Sequence, residues 1–151
     1  MQIQMSTEFA LHGLLYLASR RDSTPIQLPD VAAAIKVRQS YLRKIFQQMV
    51  KSGILEAYKG ANGGYRLKRD PAEITFYDVL RTVEGDPGRY HCLAHARACE
   101  LLTDCPINSG FGEAFRMLRD HLQAMTLASF LNSKDVAAKH VTWLHRPNLQ
   151  L

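Results

Sequence analysis

Apolar residues recur at helical spacing in five stretches of the chain and fall in two short extended runs between the third and the fourth. In the first, residues 6–20, Phe9, Ala10, Leu11, Leu14 and Leu17 mark a helix with Ser6 as its expected N-cap. A turn at "DSTP" leads to "LPDVAAAI", a short helix whose apolar set is Leu28, Val31, Ala32 and Ile35. Pro29 sits in its first turn, where the missing N–H costs little. "KVRQ" interrupts the pattern, and "SYLRKIFQQMVKSG" resumes it with Ser40 as expected cap and Gly53 as the stop. Here Leu42, Ile45, Phe46 and Met49 form one buried stripe, and Tyr41, Arg43, Lys44, Gln47, Gln48 and Lys51 face outward.

The period then changes. "ILEAYKG" and "YRLKR" read as strands, with Asn62–Gly63 as the hairpin signal between them. Thr75 caps a fourth helix, "FYDVLRTVEG", that stops at Gly85. A cysteine-containing loop follows, and from about Gly110 "GFGEAFRMLRDHLQAMTLASFL" reads as one long helix. Its Phe111, Ala114, Phe115, Leu118, Leu122, Met125 and Leu127 exceed what a small domain needs to bury, which predicts a dimerisation helix. The tail, with Trp143 and Pro147, carries little pattern.

Two short helices, a tight turn and a hairpin directly after the second helix predict a mainly α fold with a small β wing: a winged helix-turn-helix. The expected organisation is a winged helix-turn-helix domain over 1–85, a cysteine loop over 86–109, a dimerisation helix over 110–131 and a tail over 132–151.

Charge placement says what the wing and the second helix face. Between Lys36 and Arg69 lie nine basic residues and a single acid, Glu56, so this window carries +8 of a chain whose net charge is +5. A single-sign block inside a folded region points to a polyanion, here a double-stranded DNA operator. Expected DNA contacts are Ser40, Tyr41, Arg43, Lys44 and Gln47 on the helix, and Lys59, Asn62 and Arg66 on the wing. Arg43 suits guanine and Gln47 adenine, whereas Lys44 and the wing cations suit phosphate. No apolar run approaches the roughly 20 residues of a membrane span. The N-terminus lacks a basic, cleavable leader, and the expectation is a cytoplasmic protein. No Ser–His–Asp arrangement, phosphate-binding glycine loop, HExxH or CxxC is present, and the expectation is a protein that is not an enzyme.

All three cysteines, Cys92, Cys99 and Cys105, fall within "YHCLAHARACELLTDCPI". In a reducing compartment such a cluster reads as metal-binding or redox-active. Thiolates favour zinc or an iron–sulfur cluster. Three cysteines leave one corner open, for which His91, His95, Glu100, Asp104 or a residue of another helix is a candidate. Reactive free thiols and inert cysteines remain alternatives.

These features together resemble the bacterial winged-helix regulators of the IscR, NsrR and RsrR type. The resemblance runs from Met1 to about Phe130 and rests on "TEFALHGLLYLA", "SYLRKIFQQMVKSGIL", the wing "KGANGGYRL", "ITFYDVLRTVEG" and the three cysteines before the long helix. It implies a homodimeric transcription regulator, with a repressor as the expectation. It also implies an iron–sulfur cluster that reports redox state, nitric oxide or iron–sulfur supply to the operator-binding unit. In NsrR-like members an acid at the start of the partner's first helix completes a three-cysteine [4Fe–4S] site, and Glu8 holds that place here. In RsrR-like members a Glu and a His of that helix join two cysteines on a [2Fe–2S] cluster, and Glu8 and His12 match them at i, i+4. The histidine that follows the third cysteine in IscR-like members is absent from "CPINSGF". The resemblance therefore implies Glu8, Cys92, Cys99 and Cys105, or Glu8, His12, Cys99 and Cys105, with ligands from both subunits. The alternative is a cluster-free winged-helix regulator whose cysteines sense as thiols or bind zinc.

Overall fold

Amphipathic stripes set the order of elements in the computed structural model, which describes residues 3–20, 24–85 and 105–132. Cys92, Cys99, the alternative donors His91, His95, Glu100 and Asp104, and the tail beyond residue 132 lie outside the described residues. The elements are α1 (Met5–Ala18), α2 (Leu28–Ala34), α3 (Gln39–Lys51), β1 (Leu55–Tyr58), β2 (Gly64–Leu67), α4 (Phe76–Glu84), α5 (Pro106–Ala124) and α6 (Leu127–Leu131). The described residues are mainly α with one small antiparallel sheet, as the pattern predicts.

The core lies where α1, α3 and the hairpin meet. Leu14, Val31, Leu42, Phe46, Met49, Ile74, Val79 and Leu127 are fully buried there. The α3 stripe Leu42–Ile45–Phe46–Met49 is buried as its spacing dictates. Gly13 of α1 lets the two helices approach: a Cβ at this position would lie 2.8 Å from Cε1 of the Phe46 ring. The turn between α2 and α3 is closed by Lys36 in the left-handed region at φ 57°, and Val37 N–H donates to Ala32 O at 3.0 Å.

Two expected caps are corrected. The N-cap of α1 is Gln4 rather than Ser6, with no side-chain cap; the carboxylate of Glu84, at the end of α4, accepts from the Gln4 N–H and fixes the start of the helix there. The N-cap of α3 is Arg38, with no side-chain cap; Ser40 lies inside the first turn with its residue exposed. Gly53 follows the end of α3 at φ 76°, a conformation glycine adopts without cost. Thr75 caps α4 through a reciprocal pair with Asp78, in which Asp78 N–H donates to Thr75 Oγ1 at 3.0 Å.

The hairpin pairs Leu55 with Leu67 and Tyr58 with Gly64, which leaves a loop of residues 59–63. The Asn62–Gly63 pair is thus not a two-residue primed turn. Gly63 N–H closes the loop on Gly60 O at 3.0 Å, and Gly60 takes the positive φ of 100°. The edge of β2 away from β1 is pinned by Ile26, whose N–H and C=O both bond Tyr65, at 3.0 and 2.8 Å.

The long helix also differs from expectation. It begins a turn earlier, at Pro106, which suits a helix start. It ends at Ala124, so the single helix expected over 110–131 is two. Met125 turns extended, Thr126 caps α6, and the segment pairs with residues 74–76 through Phe76 N–H to Met125 O at 2.9 Å and Leu127 N–H to Ile74 O at 3.0 Å. Leu127, expected on the outward dimer face, is fully buried for that reason. Ile107, Phe111 and Met117 of α5 remain 63%, 49% and 67% exposed.

Candidate functional site

The candidate recognition face is built on α3. With its apolar stripe buried, Tyr41, Arg43, Lys44, Gln47 and Gln48 are left on the exposed side, and α3 holds no acidic residue. Lys36 and Arg38 extend the cationic row before the helix start, and Lys51 closes it in the last turn. Val37, Arg38, Ser40, Tyr41 and Lys44 line an open concavity of about 400 Å³ beside the start of α3. The Tyr41 ring meets Phe9 of α1 edge-on, with centroids 5.9 Å apart and planes at 87°. Such a contact fixes the tyrosine's orientation while leaving it 40% exposed. Ion pairs among the described residues join Arg66 to Glu56, Arg69 to Asp78 and Arg119 to Asp120, so the α3 cations stand without acidic partners there. An unneutralised row of donors on an exposed helix is the surface that phosphate and base edges meet.

The wing stands next to it. Lys59 and Asn62 are exposed in the loop at its tip. Gln27 Nε2 donates to Ala61 O at 3.0 Å and holds that loop to the segment before α2. Gly63 and Gly64 permit the seat: a Cβ on Gly63 would lie 2.3 Å from Tyr58 O, and one on Gly64 2.4 Å from Ile26 O. Arg66 is placed differently from Lys59. Its Nε donates to Glu56 Oε1 at 2.7 Å and its Nη2 to the Tyr58 hydroxyl at 2.6 Å. The guanidinium carbon lies 5.2 Å from the Tyr58 ring centroid. The Arg66 guanidinium holds the Glu56 carboxyl below its ordinary range, and the Glu56 carboxylate pushes the Tyr58 phenol up. Glu56 and Tyr58 were not singled out from the sequence. The signal was present, since Glu56 is the one acid of the basic window and hairpin pairing sets it against Arg66.

The candidate ligands occupy two places. Glu8 is exposed and His12 half-buried, one turn apart on α1. The first turn of α1 is held by Glu84, which accepts from Gln4 N–H at 2.8 Å and from the buried Thr7 hydroxyl. Cys105 is a free, half-buried thiol at the N-cap of α5 and makes no capping bond. Among the described residues no three His, Cys, Asp or Glu side chains gather at one point, so Glu8, His12 and Cys105 of one chain do not form a centre by themselves. The donor types, one carboxylate, one imidazole and one thiol, fit iron–sulfur or zinc ligation once further thiolates join them.

Comparison with known proteins gives this geometry a context. A family model described as "Rrf2: Iron-dependent Transcriptional regulator" matches residues 3–133. The HTH-type transcriptional regulator NsrR of Geobacillus kaustophilus is 34% identical over 135 residues, which cover 89% of this chain and 92% of that protein. Among solved structures, CymR, the global cysteine regulator of B. subtilis, superposes with a TM-score of 0.73 at 22% identity, covering 86% of this chain and 95% of that one. IscR of T. potens superposes at 0.70 with 21% identity and 92% of each chain covered. Both superpositions are likenesses of fold, and they identify the hairpin after α3 as the wing of a winged helix.

Proposed function

Because the chain belongs to the Rrf2 family of DNA-binding transcriptional regulators, we propose that it acts as a homodimer whose operator affinity is set by an iron–sulfur cluster held between the subunits. The observation that carries this reading is the arrangement of donors. Glu8 and His12 share one turn of α1, while Cys105 opens α5 elsewhere, and the three do not converge within one chain. A site shared between protomers accommodates that separation: Cys99 and Cys105, with or without Cys92, from one subunit, and Glu8, with or without His12, from the other.

A bound cluster would supply an oxidisable, nitric-oxide-reactive iron centre, whose potential imidazole ligation would raise in the set that includes His12. The rest follows from the chain. Ligation by Glu8 ties α1 of one subunit to the cysteine loop of the other. Phe9, the next residue, packs on Tyr41 of the recognition helix. The spacing of the two α3 helices in the dimer decides whether both enter successive major grooves. Tyr41, Arg43, Lys44, Gln47 and Ser40 then meet bases and phosphates, and Lys59 and Asn62 meet the flanking backbone. The exposed Ile107, Phe111 and Met117 of α5 supply the dimer surface.

Native mass spectrometry of anaerobically purified protein tests the reading. A dimer carrying [2Fe–2S] increments supports the Glu8–His12–Cys99–Cys105 set. One carrying [4Fe–4S] increments supports Glu8 with all three cysteines. Zinc, or no metal after reconstitution, overturns the cluster and leaves a regulator that senses through its thiols.

A further inference from the structure

The solvent face of the wing carries a pairing that works against its own charge. Glu56 is the one acid among nine basic residues between Lys36 and Arg69, and it stands directly opposite Arg66 in the hairpin register. Glu56 and Tyr58 project from the same face of β1. Tyr58 is paired with Gly64, which has no side chain, so room is left beside Arg66 for its guanidinium to lie against the tyrosine ring. Arg66 is thus engaged by a carboxylate at 2.7 Å, by a phenol at 2.6 Å and by the ring itself. Lys59, Lys68, Arg43 and Lys44 have no such engagement in any ion pair among the described residues.

We propose that Glu56 is a specificity-determining residue that withholds Arg66 from the DNA backbone. An arginine free on the wing adds one phosphate contact on every sequence alike, which raises sequence-independent binding and dilutes discrimination between operator and bulk DNA. To reach a phosphate, Arg66 must leave Glu56 and Tyr58, and Glu56 would then face the DNA unpaired, a like-charge contact that opposes approach. The clamp holds the guanidinium against Glu56 and Tyr58 on the face of the hairpin and leaves sequence-independent contact to Lys59 and the α3 cations. The proposal rests on the DNA-contacting role of α3 and the wing.

The test measures binding of the intact protein to a short random-sequence duplex by fluorescence anisotropy over a salt series. Glu56→Gln releases Arg66. The dependence of log K on log salt steepens by about 0.9, the increment of one added phosphate contact, and affinity near 0.05 M salt rises roughly three- to tenfold. Arg66→Gln alone leaves the slope at the wild-type value. The double variant Glu56→Gln/Arg66→Gln also returns it there, which excludes a hairpin merely loosened by loss of Glu56. The proposal is overturned if Arg66→Gln alone flattens the slope by about 0.9, since Arg66 is then already on phosphate. It is equally overturned if Glu56→Gln leaves the slope unchanged. Lys44→Gln is the separate check. A flatter slope in that variant confirms the recognition face, so that failure of the Glu56 variant condemns only the clamp. A slope that Lys44→Gln does not move removes the recognition face and the proposal with it.

Discussion

The carboxylate of Glu84, the last residue of α4, accepts a hydrogen bond at 2.8 Å from the backbone N–H of Gln4, the N-cap of α1. The same oxygen accepts from the hydroxyl of Thr7, which is 3% exposed. An acid from a distant element thereby accepts from the N-cap N–H, as the N3 glutamate of a capping box does locally, and it places negative charge at the positive end of the helix. Glu84→Ala leaves the Thr7 hydroxyl and the Gln4 N–H without this acceptor. Loss of about 1–2 kcal/mol is expected in urea unfolding, with a slope per mole of denaturant unchanged from wild type.

Gly13 sets how closely α1 lies on α3. A methyl group at that position meets Phe46 at 2.8 and 2.9 Å, and Phe46, itself fully buried, has nowhere to retreat. Gly13→Ala gains helix propensity of about 1 kcal/mol and loses more to overpacking, so a net destabilisation of about 1–2 kcal/mol is expected. A variant as stable as wild type by thermal melting would show that the ring yields more readily than its burial implies.

The dimer proposed above buries the face of α5 that carries Ile107 and Phe111. Phe111 is 49% exposed in the single chain. Phe111→Glu is expected to shift sedimentation equilibrium towards monomer by a hundredfold or so in dissociation constant, the scale of losing one buried aromatic anchor. Its circular dichroism should match wild type. A dimer of undiminished affinity places the interface elsewhere.

The wing titrates in a direction fixed by its pairing. Arg66 holds Glu56 below the ordinary value of 4.5. A carboxyl depressed in the folded state contributes stability that is fully present above the unfolded value. The contribution is lost as pH falls through the lower, folded one. Wild type and Glu56→Gln, compared by thermal melting, should therefore differ by a constant amount from neutrality down to about pH 5, then converge as the solution is acidified. A difference that grows on acidification contradicts the direction of the shift.

The winged helix was legible because its signals are local. The 3–4 spacing of Leu42, Ile45, Phe46 and Met49, the stop at Gly53 and the cap at Thr75 each act within a turn or two of chain. What escaped the sequence depends on partners far away. Ser6 looks like a cap and is not one, because the start of α1 is fixed by Glu84, eighty residues downstream of Gln4. The long helix looks continuous because Thr126 carries no strong breaking signal. It ends because residues 74–76 offer Met125 and Leu127 backbone partners, which the apolar pattern does not encode. At the site, the exposed row on α3 followed from its periodicity. The engagement of Arg66 required knowing the hairpin register, and the turn signal at Asn62–Gly63 suggested a tighter loop than the one between Tyr58 and Gly64.

The double hydrogen bond between Ile26 and Tyr65, with Gly64 seated against the same backbone, has a bearing on how a signal can travel. It fastens the hairpin to the strand of chain that enters α2, while the Tyr65 ring rests on Phe46 of α3, 5.1 Å between centroids. The wing is consequently a fixed blade rather than a hinged flap. A change that moved the wing alone would have to break its ring contact with α3 as well. In the dimer proposed above, control of binding would act on where two such blades stand relative to each other, so that the information passed to the operator would be a distance, not a shape.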